Sequence, residues 1–523
     1  MSNLRWPDLL IVIIYMSSMV YMGLRFSRRQ TSTEAYFVAK RSIPSWAMGI
    51  SLFATIITSL TYIAYPGSAY AKDWANLIPG FMIVIVLAIV GFVIVPFYRE
   101  AVGMSAYEYF GNRFGKTARL YSSLAFALAH FSKMGFIFYM LALVVSSMTG
   151  WPLSQVIFWV GAVTIFYSLI GGIEAVIWTE VVQGILKATG ALICLGYLFL
   201  KTPGGPSASF KLAWDNGKFG MGSLSLDFSQ PTIIVLVIYG FFWYLQRYVA
   251  DQTVVQRYLV AKSHREALKG ISLGAILCVP VWALFMLVGT MLWSFYRLSG
   301  TVLPSFITKP DQVFPHFLST EIPVGLAGLF IAALMAAAMS GLASDLNCLS
   351  VVCVEDFYGF FRKGTSDRKR LNIAKIIVGL TGMLAVAMGL VLARTQGTAL
   401  NMWFTVSSIA SGGLAGLFLL AFLCKRANKE GVTFGIVACL LFTGWATLTV
   451  GSKPIVNLGR YNFPFHEFMI GAVAHMVFLV VGYLASLPFT HRYPAARELT
   501  LWAWLEKRKQ AALKPSALGA TNK

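Results

Sequence analysis

Thirteen apolar segments constrain this chain more than any other feature, because each is long enough to cross a lipid bilayer. About 20 helical residues are needed, since ~30 Å of hydrocarbon is crossed at 1.5 Å per residue. With 57% hydrophobic and 12% charged residues, the 523-residue chain is predicted to be an all-α membrane protein of about 13 transmembrane helices. The predicted spans are 7–25, 43–71, 75–97, 117–149, 153–170, 174–200, 231–258, 268–296, 323–358, 373–394, 399–423, 431–450 and 466–488.

The basic residues indicate how the chain lies in the membrane. Of the 42 Lys and Arg, 29 fall in loops that share one side, at 25–42, 98–120, 256–270, 359–375, 424–430 and beyond 490. The positive-inside rule then predicts a multi-pass protein of the cell (inner) membrane, with its N-terminus outside and its C-terminus in the cytoplasm. The net charge of +21 points to membrane lipid as a partner rather than to nucleic acid. The tail RELTLWAWLEKRKQAALK (497–514) is predicted to form a surface-lying amphipathic helix.

Two spans are interrupted by polar residues and helix breakers. The stretch SLFATIITSLTYIAYPGSAY (51–70) contains Pro66 and Gly67 among many hydroxyls, and YGFFWYLQRYVADQTVVQRYL (239–259) is similarly broken. Unwound helix is tolerated in a membrane where it faces a cavity, an ion or a solute. The alternative is a kinked structural helix whose hydroxyls bond to their own backbone.

Each interrupted span opens a block of five spans, which is the pattern of an inverted-repeat transporter. The predicted organisation is an extra helix and cytoplasmic loop, the first repeat, an outer loop, the second repeat, two C-terminal helices and a cytoplasmic tail. Their boundaries are 1–42, 43–200, 201–230, 231–423, 424–488 and 489–523, respectively.

Several motifs resemble a known family. They are GGIEAVIWTEVVQG (171–184), DQTVVQRYLVAKS (251–263), AALMAAAMSGLASDLNCLS (332–350), SAYEYFGNRF (105–114) and KRAN (425–428). Together they resemble the solute:sodium symporter, or sodium/glucose cotransporter, family. The segment 44–74 is most similar to bacterial sialic-acid symporters. The resemblance implies the leucine-transporter fold, a five-plus-five inverted repeat with flanking helices.

The resemblance also implies two sodium sites, with sodium as the coupling ion and no other cofactor. The main site matches the carbonyls of Ala54, Ile57 and Ala337, the hydroxyl of Ser340, and Gly341, where the family has a second hydroxyl. The second site matches Glu180, Ser340, Ala343 and Ser344, with Glu in place of Asp and Ala in place of one Ser.

Lys187 suggests a further departure from this pattern. It follows Glu180 by seven residues, so two helical turns return it to nearly the same face, about 10 Å along the axis. A sodium ligand is lost at Gly341 while a cation is gained at Lys187. The hypothesis is that the ammonium replaces the main sodium ion, within about 4 Å of its oxygen ligands. The alternative is that Lys187 packs away from the site, paired with Asp345.

The predicted solute-binding residues are Thr58, Thr61, Lys133, Arg247, Asp251 and Gln252. Lys133 lies 16 residues from either end of its span, too deep to reach the interface. It is expected either to anchor an anionic solute or to pair with Glu180 or Asp345. The sialic-acid symporters have an Arg at the position of Lys133 and a Gln at that of Gly80. Arg247 either faces solute or extends to the cytoplasmic interface.

The predicted function is secondary active transport. The favoured form is sodium-coupled symport of a small polar solute: a sugar, a sugar acid such as sialic acid, or another organic anion. The alternatives are sodium-independent transport, by proton coupling or exchange with Lys187 in the sodium position, and a non-transporting solute sensor. An enzyme is not favoured, because the six histidines are scattered without an HExxH motif. A monomer is expected to be sufficient.

Overall fold

The computed structural model describes residues 6–305, 307–359, 362, 364–395, 412–452, 454–489 and 497–513. Over these residues the chain is almost entirely helical, with one isolated β-bridge between Ile43 and Ala261. Within the described ranges, ten helices have the length and hydropathy of a membrane span, and one bent helix pair would make an eleventh.

The helices are numbered α1 to α19 in chain order. Their bounds are α1 Trp6–Ser27, α2 Thr33–Val38, α3 Ser45–Ile56, α4 Ser59–Ala71, α5 Ile78–Ala101, α6 Tyr107–Phe114, α7 Lys116–Thr149, α8 Leu153–Lys201, α9 Gly205–Asp215, α10 Ile233–Ala250, α11 Gln252–Val260, α12 His264–Ser299, α13 Val313–Thr320, α14 Leu326–Val352, α15 Asp367–Thr395, α16 Leu414–Leu423, α17 Lys429–Thr449, α18 Met469–Ser486 and α19 Leu501–Leu513.

The first interrupted span is the bent pair α3 and α4, whose axes meet at 58°. Ile57 and Thr58 are extended between them. Pro66 and Gly67, the helix breakers of this stretch, lie inside α4 rather than at the break. They mark close packing instead: a Cβ at Gly289 of α12 would lie 2.2 Å from the Pro66 carbonyl oxygen.

The second interrupted span breaks at Asp251, which is extended between α10 and α11. The polar run in this span therefore marks the break itself. Asp251 also caps α11, because its Oδ1 accepts hydrogen bonds from the Thr253 amide at 2.8 Å and the Thr253 hydroxyl at 2.6 Å.

Helix α8 contains the two spans predicted at 153–170 and 174–200. Gly172 divides it, with φ 57° and ψ −161°, a conformation that suits glycine alone. Of the predicted span 399–423, residues 399–411 lie outside the described residues, and α16 forms its end.

Helix α14 is the most deeply buried span and packs against α1, α7, α8 and α15. Its sequence ALMAAAMSGLAS is rich in small side chains, which let neighbouring backbones approach closely. As a result, the polar residues of α14 (Ser340, Ser344 and Asp345) face protein and are fully buried.

The tail helix α19 docks on the side predicted to be cytoplasmic. Trp504 Nε1 donates to Glu100 Oε2 at 2.7 Å, and Trp502 Nε1 donates to the Leu423 carbonyl at 2.8 Å. These contacts place α19 beside the ends of α5 and α16. Residues 490–496 and 514–523 of the predicted tail lie outside the described residues.

Candidate functional site

The break between α3 and α4 turns backbone carbonyls toward the side chain of Lys187 on α8. Lys187 Nζ donates to the carbonyl oxygens of Ala54 at 2.6 Å and Ile57 at 2.7 Å, and to Ser340 Oγ at 2.7 Å. The Ser340 hydroxyl in turn donates to the Ala54 carbonyl at 3.0 Å or to that of Ala337 at 3.3 Å. We call this group of residues (Ala54, Ile57, Lys187, Ala337 and Ser340) the junction, because it ties α3, α8 and α14 together.

Lys187 thus lies among the oxygens that the sequence comparison assigned to the main sodium site, and not beside Asp345. Its distances fall within the predicted limit of about 4 Å. Gly341 borders the same region. A Cβ there would be 3.5 Å from Thr58 Cγ2 and 3.7 Å from Ile137 Cδ1, which are ordinary contacts.

Glu180 lies two turns before Lys187 on α8, in a second buried cluster. Its carboxylate forms an ion pair with Arg257, whose NH2 lies 2.8 Å from Oε2, and both side chains are fully buried. Glu180 also accepts hydrogen bonds from the hydroxyls of Ser51, Thr55 and Ser344. This carboxylate, predicted to bind a cation, is therefore already neutralised by Arg257.

A cavity of about 250 Å³ lies between α7, α10 and the start of α16. Its polar lining comprises His130, Lys133, Gln246, Arg247 and Asp251, and the ring of Trp243 forms part of its wall. Because α7 belongs to the first predicted repeat and α10 to the second, the cavity lies between the two halves of the chain.

Lys133 lines this cavity and also forms an ion pair. Its Nζ lies 2.8 Å from Asp345 Oδ2 and 2.9 Å from Oδ1, and His130 Nδ1 lies 2.7 Å from Oδ1. Asp345 is fully buried, whereas the Lys133 side chain keeps 27% of its exposure. Lys133 can thus pair with Asp345 and still face a solute in the cavity, so the two alternatives given for it do not exclude one another.

Arg247 faces the same cavity from α10, one turn before the break. Its NH1 lies 3.7 Å from Asp251 Oδ2, and its side chain is only 15% exposed. Its Nε is buried and has no hydrogen-bond partner among the described residues. Asp251 Oδ2 also lies 3.5 Å from His130 Nε2.

Three predicted solute-binding residues lie elsewhere. Thr58 and Thr61 do not line this cavity; Thr58 precedes α4 and contacts the Gly341 region. Gln252 faces the chain segment before α6, where its amide accepts from the Ala106 N–H at 2.8 Å and donates to the Met104 carbonyl at 2.8 Å. Gly80 packs against Trp282, since a Cβ there would lie 2.8 Å from the indole ring.

Sequence reasoning missed Arg257, His130 and Gln246. Arg257 was counted among the basic residues of a cytoplasmic loop, although it is fully buried. Its position in DQTVVQR, six residues after the Asp251 break, was an available signal. His130 precedes Lys133 by three residues, which places the two side chains on one helix face.

Membrane-length helices, two broken spans and a polar cavity between the halves define a secondary transporter. The chain belongs to the sodium:solute symporter family, which it matches over residues 36–438. Its activity is therefore sodium-coupled symport of a small polar solute.

The chain is 30% identical to the sodium/sialic acid symporter NanT of Aliivibrio fischeri (strain ATCC 700601 / ES114), over 96% of this chain and 97% of that protein. It is also 30% identical to the sodium/sialic acid symporter SiaT of Proteus mirabilis (strain HI4320), over 93% and 95% of the two chains.

Two solved structures share the fold. One is a substrate-bound, outward-open Na⁺-coupled sialic acid symporter, with 29% identity and a TM-score of 0.86 over 94% of this chain and 99% of that chain. The other is Mhp1, a nucleobase-cation-symport-1 family transporter, with 14% identity and a TM-score of 0.54 over 91% and 98%. The fold is thus of the leucine-transporter type, as the sequence predicted.

Proposed function

We propose that this protein transports a small organic anion, with a sugar acid of the sialic acid class as the leading candidate. The observation that carries the proposal is the buried guanidinium of Arg247, whose Nε has no partner among the described residues and which lines the cavity. A guanidinium binds a carboxylate through two parallel hydrogen bonds, so a carboxylated solute would complete its bonding. The relatives named as sialic acid symporters support the same solute class.

The remaining lining residues suit the rest of such a solute. Gln246 and Asp251 can bond to hydroxyl groups, and the Lys133 ammonium, although paired with Asp345, keeps part of its side chain exposed to the cavity and can donate a further hydrogen bond. Trp243 offers a ring for stacking on the apolar face of a sugar. Alternating access would then rock a bundle of helices against the remaining scaffold around this cavity.

A second candidate is a neutral sugar. Asp345 is paired with Lys133, and Asp251 lies beside Arg247, so the cavity carries no net charge when His130 is neutral. Such a balanced lining also suits a polyhydroxylated solute that forms hydrogen bonds without bringing a charge.

The proposed setting is the cell membrane, as a multi-pass protein with its N-terminus outside and a monomer as the working unit. The basic loops on one side and the docking of α19 beside α5 support this orientation.

Uptake into proteoliposomes tests the proposed solute. Labelled sialic acid, simpler sugar acids and neutral sugars would be supplied to the purified full-length protein. We expect uptake of an acid, reduced about tenfold or more in Arg247→Gln, since a hydrogen bond to a charged group contributes about 1.5–3 kcal/mol. The matched control is Arg394→Gln, at an exposed position in the last turn of α15. Uptake of neutral sugars alone, unaffected by Arg247→Gln, would favour the second candidate.

A further inference from the structure

In the junction, a group of oxygen atoms surrounds a cation that belongs to the chain itself, the ammonium of Lys187. Helix α3 ends at Ile56, so carbonyls near its end lose the N–H donors that a continuing helix would supply. The ammonium of Lys187 has three N–H donors, and three acceptors surround it: the oxygens of Ala54, Ile57 and Ser340. Every donor of Lys187 is therefore used within the junction.

No carboxylate of the described residues forms a salt bridge with Lys187. Glu180, the nearest acidic side chain along α8, is paired with Arg257. Tyr62 approaches from α4, but its hydroxyl donates to the backbone carbonyl of Lys187 at 2.9 Å. The positive charge is thus stabilised by carbonyl and hydroxyl dipoles, which are also the ligands of a hard monovalent cation. Lys187 and Ser340 are fully buried.

We propose that Lys187 is a resident cation of the junction: its ammonium occupies the position of a dissolved ion, so the junction binds no sodium. The inference concerns how the proposed transporter is coupled, and it relies on the proposed function only in that transport is the activity being coupled. The proposal rests on geometry: Lys187 Nζ lies between the same oxygen atoms that would have to coordinate a sodium ion.

A resident cation differs from a dissolved one in its thermodynamic effect. An ion that binds one conformation better than another shifts the equilibrium between them by an amount that depends on the ion concentration. A side chain holds α3, α8 and α14 together at every sodium concentration. The junction therefore contributes nothing to coupling by sodium, and any coupled sodium binds at other residues.

Thermal unfolding of the purified full-length protein in detergent tests this inference without a transported solute. Tm is measured in NaCl and in KCl at equal ionic strength. The test variant combines Lys187→Ala with Gly341→Ser, which removes the ammonium and adds a hydroxyl where a side chain fits. We expect the sodium-specific rise in Tm to be larger in this variant than in the native protein, by about 2 °C or more.

The matched control is Lys201→Ala on the same helix, where the lysine is 46% exposed and paired with Glu321. It should leave the sodium response of the native protein unchanged. A native response as large as that of the double variant would overturn the proposal. Loss of uptake of every candidate solute would instead count against the proposed function and leave this comparison intact.

An experimental structure of the native protein in sodium buffer provides a test that needs no folded variant. We expect the Lys187 ammonium between the carbonyls of Ala54 and Ile57. Density for a separate ion at that position, with Lys187 turned away, would overturn the proposal.

Discussion

Arg257 and Glu180 form an ion pair with no exposed surface, in which each charge depends on the other. Arg257 also donates to the Thr253 carbonyl at 2.8 Å, and Glu180 accepts from three hydroxyls. Such a pair adds little net stability because both ions are desolvated. Removing only one partner, however, leaves a buried charge without a counter-ion and destabilises the fold. The pair therefore holds α8 against α11 while adding little to the net free energy of unfolding.

We predict that neutralising one partner of this pair is worse than neutralising both. Arg257→Met leaves the Glu180 carboxylate buried without a counter-ion and should lower the free energy of unfolding by about 3–5 kcal/mol. Adding Glu180→Gln removes that charge while its amide oxygen still accepts from the hydroxyls, so part of the loss should be recovered. Thermal unfolding of both variants in detergent measures the difference. Additive losses would show that the two charges do not depend on one another.

At the scale of single residues, helix periodicity put Lys187 on the face of Glu180, and the family resemblance, which assigned Glu180 and Ser340 to sodium sites, supplied the neighbours that the structure then shows for it. Seven residues separate the two, so the spacing alone fixed their shared face but not the oxygens that Lys187 would meet. Gln252 could not be placed in this way, since its partners are the backbone groups of Met104 and Ala106, about 150 residues away in sequence. Arg257 was missed because a positively charged residue near the end of a span usually reaches the interface.

Each broken helix in this protein has a different local cause. The second break coincides with Asp251, whose side chain caps α11, so the polar residue and the break share one position. The first break falls at Ile57 and Thr58, whereas Pro66 and Gly67 lie inside α4. The sequence therefore located both broken spans, and the first break lies near the middle of span 43–71, whereas Pro66 reflects packing against α12.

The kink of α8 at Gly172 yields a prediction about this element. Its φ of 57° and ψ of −161° are unfavourable for any side chain, and a Cβ would lie 2.8 Å from the Tyr36 ring and 2.9 Å from the Tyr36 carbonyl. Gly172→Ala should lower the free energy of unfolding by about 1–3 kcal/mol from the backbone strain alone.

Gly196 on the same helix is the matched control. Nothing lies within 4 Å of a Cβ built there, so Gly196→Ala should be neutral or should raise stability by up to about 1 kcal/mol. Thermal unfolding of the two variants under identical conditions compares them. Equal effects would mean that the kink is not needed to join the two arms of α8.

At the scale of the whole molecule, the cytoplasmic side is predicted to be the one that carries the basic loops. On that side Arg119 pairs with Asp356, with 2.7 Å between Nε and Oδ1, and Arg370 pairs with Glu355. The composition predicted the membrane class, and the broken spans together with the family resemblance predicted the fold. The ion pairs between distant segments could not be predicted, because either partner alone is an ordinary charged residue near the end of a span.

Cysteine labelling in intact cells tests the orientation of the whole chain. Ser225→Cys places a thiol in the exposed segment before α10, and Lys507→Cys places one on the exposed face of α19. Both would be made with Cys353 and Cys424 replaced by Ser, because these two native thiols are only partly buried. With 29 of the 42 Lys and Arg on the side of α19, we expect a membrane-impermeant maleimide to label Ser225→Cys in intact cells. Lys507→Cys should be labelled only after the membrane is permeabilised. The reverse pattern would contradict the predicted topology and place the C-terminus outside. Equal labelling of both sites in intact cells would show that the reagent had crossed the membrane, and the experiment would then be repeated with a larger reagent.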